Sequence, residues 1–91
     1  MVDTVALLAE FLGSFLLALS VLASGGNAYV VGAALVIIIL LVGKISGGHV
    51  NPAVTAAIYA KGGLSVKEAG LYMLSQILGG FASLYTYKVF A

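Results

Sequence analysis

The sequence contains no cysteine and no arginine, a single proline, a single histidine, and only seven formally charged side chains (four lysines and three acids) in 91 residues. Each shortage excludes something. Without cysteine there is no disulfide scaffold, no thiolate metal site and no cysteine nucleophile, although the redox compartment stays undecided. Without arginine, and with a net charge of +1, the chain has no electrostatic footprint for nucleic acid. One histidine offers no metal cluster and no nucleophile–base pair is legible, so neither an enzyme site nor a cofactor is expected. Charged residues make up 8% of the chain and apolar ones 63%, against about 25% and about 45–50% in soluble domains. So few charges cannot coat a water-facing globule of this size. Twelve glycines among leucine, valine and alanine fit packed membrane helices. The expected class is an all-α, integral, multi-pass membrane protein.

Three stretches are apolar enough to cross a bilayer. Val5–Ala23 is interrupted only by Glu10. With Asp3 ahead of it, no lysine or arginine, and no A-x-A site, it reads as a retained span rather than a signal peptide. Tyr29–Gly43 extends to about Ile45 if Lys44 snorkels. Ala69–Tyr87 lies between Glu68 and Lys88. The expected spans are therefore about 5–23, 29–45 and 67–88. The residues from Ser24 to Ala28 form a tight turn of helix breakers.

The second connector is not the polar loop one would expect. Its first part, Ile45 to Val50, is glycine-rich and irregular. Its second part has helix start signals, Asn51 at the N-cap and Pro52 at the first helical position, alanine-rich turns, and Gly62-Gly63 as a stop. The segment is too short to span and too apolar for water. It reads as a re-entrant loop and half-helix over about 46–60, which enters and leaves by one face. Irregular backbone at membrane depth survives only where protein buries it or a wet cavity lines it, so the segment implies a cavity.

Orientation follows from charge and aromatics. With a cytoplasmic N-terminus, Lys44, Lys61 and Lys67 lie inside and only Lys88 outside, in the direction of the positive-inside rule. Tyr29, Tyr85 and Tyr87 then share the outer interface.

The run Ser46-Gly47-Gly48-His49-Val50-Asn51-Pro52-Ala53-Val54-Thr55 closely resembles the signature of the aquaporin, or major intrinsic protein, family. Ala9 to Phe15 looks like that family's first helix, and Ser75 to Gly80 like the A-Q-x-x-G-A stretch of its third; the order and spacing of all three agree along the chain. The resemblance implies half of an aquaporin-like fold, spanning 1–91: three transmembrane helices plus one re-entrant half-helix. It departs from the family in length. Relatives usually carry two such halves, inverted relative to each other, and this half is of the N-terminal type; the C-terminal type, in which arginine follows the alanine, does not occur here.

The chemistry follows from the residue types. Asn51 at an N-cap gives its side-chain oxygen to its own helix and keeps its amide NH₂ as a fixed donor pair facing the cavity. Pro52 stiffens the start of the helix, Ala53 completes the motif, and the half-helix N-terminus carries about half a positive charge aimed at the same spot. Two such termini meeting at mid-membrane would orient a water oxygen and oppose cations and protons. One copy supplies half of this. The implied function is a passive channel for water and small neutral solutes such as glycerol. Its pore is completed by antiparallel pairing with a second copy, rebuilding an inverted repeat, or by a complementary half chain; a fragment is equally compatible. Small-residue faces at Ala9/Gly13, Gly43/Gly47 and Ser75/Gly79/Ser83 favour close helix approach, while the lysine bias opposes inverting the second copy. Family resemblance adds that such pores cluster in fours.

Counting from the motif as the family does, constriction positions fall about twenty and about twelve residues before Asn51, three before it, and just after Ala53. Here these are Val31, Ile39, Gly48 and Val54, an aliphatic set with no arginine.

Other residues have plainer readings beside the sharper ones. Glu10, in a span, needs a partner; it is either a proton-coupling carboxylate or, as favoured here, an acceptor for orphan N–H groups of the 46–50 loop. His49 could gate with pH, but more often such a histidine ties backbone down. Gln76 holds the same loop from the third span. Tyr59 and Tyr72 read as packing or interface residues, and Phe11 with Phe15 as an ordinary contact one turn apart. Small antiparallel-dimer multidrug transporters are an alternative class, of similar size and with one glutamate in the first span, but they need four spans and lack the Asn-Pro-Ala half-helix. A non-conducting assembly subunit is a third.

Overall fold

The computed structural model describes residues 3–91, so the first two positions of the expected 1–91 unit lie outside the described residues. Four α-helices follow in order, α1 (Thr4–Ser24), α2 (Ala28–Ser46), α3 (Pro52–Lys61) and α4 (Val66–Phe90), with no strand among the described residues.

Each helix starts where a short polar side chain can accept from the orphan N–H groups of the first turn. Asp3 Oδ1 accepts from Val5 N at 2.9 Å, Asn27 Oδ1 from Tyr29 N at 3.0 Å, and Asn51 Oδ1 from Ala53 N at 2.8 Å. Ser65 and Glu68 form a reciprocal capping box at the start of α4. The first three helices end on left-handed glycines, Gly25, Gly47 and Gly62. Gly47, expected on a small-residue helix face, instead stops α2 with φ 93° and returns its N–H to Gly43 O.

α1 packs along α4 and, less extensively, against α2; α3 lies against α4 and no other helix. The buried face of α1 is Ala6, Ala9, Glu10, Gly13 and Ser14, and that of α4 is Ala69, Tyr72, Gln76, Gly79 and Ser83. Both repeat at helical spacing, so one stripe faces one stripe. No leucine or phenylalanine is buried among the described residues, whereas Leu8, Leu40, Val66, Phe81 and Phe90 are all exposed. This reverses the arrangement of a water-soluble globule. Apart from Ile38, Val50 and Tyr72, small and polar residues are inside and bulky apolar ones outside, as expected where close backbone packing rather than hydrophobic burial joins helices.

The α1–α4 contact is set by Gly79. A Cβ there would collide with the Phe11 carbonyl oxygen and come within 3.0 Å of Phe15 N. Backbone cannot swing aside as a flexible side chain can, so this position requires glycine.

α1 and α2, at 21 and 19 residues, are long and apolar enough to cross a membrane. α4, at 25 residues, reaches about 37 Å, but Ser75, Gln76, Ser83, Thr86 and three tyrosines dilute its apolar character. α3, at 10 residues, covers only about 15 Å.

Gly79→Leu is expected to destabilise the helix bundle by about 3 kcal/mol, the upper part of the overpacking range. Thermal unfolding in detergent followed by circular dichroism should register a lowered midpoint, and an unchanged midpoint would contradict the packing described.

Candidate functional site

The loop between α2 and α3 folds over a single carboxylate. Glu10, fully buried in α1, accepts four hydrogen bonds: from Ser46 Oγ at 2.6 Å, His49 N at 3.2 Å, Val50 N at 2.8 Å and Gln76 Nε2 at 2.8 Å. Two are loop amides, one is a hydroxyl from the last residue of α2, and one comes from α4. A buried group with both oxygens occupied in this way joins three helices and a loop at one point. Ser46 Oγ also accepts from Gly48 N at 3.2 Å, and Tyr72 OH donates to Ser46 O at 2.7 Å, satisfying a carbonyl that α2 leaves open at its end.

A second hub is Thr55, one turn into α3 and fully buried. Its Oγ1 accepts from Gln76 Nε2 at 2.7 Å and lies 2.9 Å from His49 Nδ1. The two acceptors around Gln76 fix its amide with nitrogen inward. The His49 ring is itself buried against Tyr72, with centroids 5.0 Å apart at a tilt of 51°. Two buried atoms, Ser14 Oγ and Gln76 Oε1, have no hydrogen-bond partner among the described residues.

Val50 sits in the left-handed region at φ 45° and is buried. For a β-branched residue this conformation is strained, at a cost on the order of 1–3 kcal/mol. Two contacts offset it: the bond from its N–H to Glu10 Oε1, and the seating of its side chain where a Cβ on Gly13 would otherwise stand. The strained residue immediately precedes Asn51 and turns the chain into α3.

Asn51 is exposed at the tip of α3. Its oxygen serves the cap through Ala53 N, so its amide nitrogen is the end available to donate outward. Pro52 occupies the first helical position and Ala53 is exposed beside it. The four residues counted out as a constriction are dispersed differently. Ile39 and Val54 are exposed, and Val31 and Gly48 are half-buried. Gly48 lies against Ile39, whose Cγ1 would be 3.6 Å from a Cβ at that glycine. Val31 lies in the first turn of α2, two full turns of helix before Ile39.

Sequence reasoning missed Thr55 and Val50 as site residues, and it read Tyr72 as a packing or interface residue where the structure gives its hydroxyl a capping role. A groove of about 490 Å³ lies elsewhere, between the far halves of α1 and α4, lined by Ala18, Val21, Leu22, Ile77 and Phe81. It is apolar and contains none of the expected site residues.

Residues 3–91 match the model of the major intrinsic protein family. The chain belongs to that family, whose members are integral, multi-pass membrane channels rather than enzymes. Similar proteins include the lens fiber major intrinsic protein of Gallus gallus, 39% identical over 88 residues, covering 85% of this chain and 34% of the relative. Aquaporin NIP1-1 of Arabidopsis thaliana is 33% identical, covering 91% of this chain and 32% of the relative. Aquaglyceroporin AqpS of Rhizobium meliloti is 32% identical, covering 81% and 38%. The chain thus spans about a third of the length of the curated relatives it matches. No solved structure matches it.

Glu10→Gln replaces one acceptor oxygen by a donor facing other donors. It is expected to lower the unfolding free energy by roughly 3 kcal/mol, read as a lowered denaturation midpoint in detergent. Stability equal to the parent chain would mean that the carboxylate does not hold the loop.

Proposed function

We propose that this chain forms half of a passive membrane channel for water and small neutral solutes such as glycerol. In this reading α1, α2 and α4 are three transmembrane helices, and the 46–60 segment is a re-entrant loop and half-helix. The observation that carries the reading is the combination at residues 46–55: a short helix tied at its inner end to a buried polar network, with the donor end of Asn51 left exposed at its tip. A buried anchor beneath an exposed, oriented donor suits transient hydrogen bonding to a passing water, and the helix N-terminus adds positive potential that disfavours cations and protons there.

One half cannot enclose a passage. The facing half is supplied by a second copy in antiparallel orientation or by a complementary half of the C-terminal type, and pores of this kind gather in fours. Two features support a missing neighbour inside the bilayer. α2 leaves Val36, Ile37, Leu40 and Leu41 uncovered, and the far half of the α1–α4 seam is an open apolar groove. Val31, Ile39, Gly48 and Val54 line the two mouths, with Gly48 and Ile39 already adjacent. Such a lining has no cationic gate, so small polyols pass as well as water. Glu10, Gln76 and His49 serve as scaffold beneath the loop.

Glu10 as a proton-coupling carboxylate, the transporter alternative, is disfavoured by its environment. It is fully buried and engaged by four donors from two other helices and the loop, so substrate and solvent have no route to it without unfolding the loop.

Stopped-flow light scattering on vesicles containing the chain tests the proposal. Osmotic shrinkage faster than the lipid background, returned to background by Asn51→Ala with folding intact, is the expected outcome. Background permeability from well-folded chain alone would exclude the self-paired pore. In a conducting preparation Val54→Arg should sharply reduce glycerol flux; indifference to that change would refute the constriction assignment.

A further inference from the structure

The half-helix α3 is held remarkably little for an element whose aim matters. It lies against α4 only, and of its ten residues Thr55 alone is buried. Its outer surface, Ala53, Val54, Ala56, Ala57, Tyr59 and Ala60, is exposed. The geometry points to Thr55 as the positioning residue that fixes the direction of the Asn51 amide, an inference that rests on the channel reading of this site.

The path is short and continuous. Thr55 N donates to Asn51 O at 3.1 Å, so the two residues share one turn of helix. Thr55 Oγ1 is bound to Gln76 Nε2, the same nitrogen that binds Glu10 Oε1. It also meets His49 Nδ1 across the loop. Rotation of α3 about its axis, or sliding along α4, would break both hydroxyl contacts together. The N-cap bond between Asn51 Oδ1 and Ala53 N orients the amide relative to α3; Thr55 orients α3 relative to the bundle. No other side chain of α3 does the second task, because the remaining contacts are apolar and tolerate sliding.

Thr55→Val keeps the shape and removes the hydroxyl, leaving a Gln76 N–H and His49 Nδ1 buried without partners. Thr55→Ser keeps the hydroxyl. Two measurements on the full chain in liposomes separate positioning from general stability. The first is backbone amide exchange. Thr55→Val should speed exchange across residues 55–61 roughly tenfold while α1 and the second half of α4 stay unchanged, and Thr55→Ser should stay at the parent level. The second is the glycerol-to-water permeability ratio in a conducting preparation. It should rise for Thr55→Val and return for Thr55→Ser, whereas fewer folded channels would lower both fluxes and leave the ratio fixed. Unchanged exchange overturns the inference whatever the flux. Faster exchange with an unchanged ratio overturns the positioning role. If the parent chain does not conduct, the self-paired pore fails separately and the exchange measurement alone decides whether Thr55 is the anchor.

Discussion

Everything distinctive in this chain depends on one buried carboxylate gathering donors that have nowhere else to go. Leaving helix α2 at Ser46 and starting α3 at Pro52 opens a stretch of backbone with no partner in a helix of its own. In a low-dielectric setting each unpaired amide is expensive. Glu10 takes the amides of His49 and Val50 directly, and Ser46 Oγ, which Glu10 itself holds, takes that of Gly48. The carboxylate also fixes Gln76, which carries the constraint on to Thr55 and hence to α3. A glutamate inside an apolar helix is thereby turned from a liability into the attachment point of the loop.

Packing makes that attachment possible. Gly79 lets the α4 backbone come against Phe11 and Phe15, and this approach brings Gln76 and Tyr72 within reach of Glu10 and Ser46. On the other side of α1, Gly13 leaves the space that Val50 fills. Two absent side chains thus position a polar network and a strained residue. The apolar bulk is displaced outward, toward lipid and toward whatever completes the fold. The same economy leaves α3 tethered to one neighbour.

Much of this was legible in the sequence, and the remainder was hidden for physical reasons. The start and stop of α3 are local signals, Asn51-Pro52 and Gly62, and the helix runs between them. Glu10 stood out because a charge within an apolar run demands a partner, and the loop amides were its natural candidates. Thr55 gave no comparable signal. A threonine in an alanine-rich helix is unremarkable, and its partner Gln76 is distant in the chain. Val50 was concealed by its own propensity, since a β-branched residue argues against the left-handed backbone it adopts. Tyr72 carried two possible uses, ring packing and hydroxyl bonding, and only the position of the α2 terminus determines that both occur. Gly47 was read for its size, whereas its use is conformational. α4 reads as a span from its flanking charges, and of its polar residues Tyr72 and Gln76 face the network.

Family membership fixes the kind of membrane protein, and the chain spans about a third of the length of its relatives. The central claim is that the network holds a short helix with its tip deep in the bilayer and open to water. The absence of native cysteine allows a direct test: a spin label on Ala53→Cys in lipid vesicles, with its depth and water accessibility read by relaxation from oxygen and from a water-soluble nickel complex. The account predicts a label near the bilayer midplane that the water-soluble relaxer nevertheless reaches. A label at headgroup depth, or one at the midplane reached by oxygen alone, would contradict it.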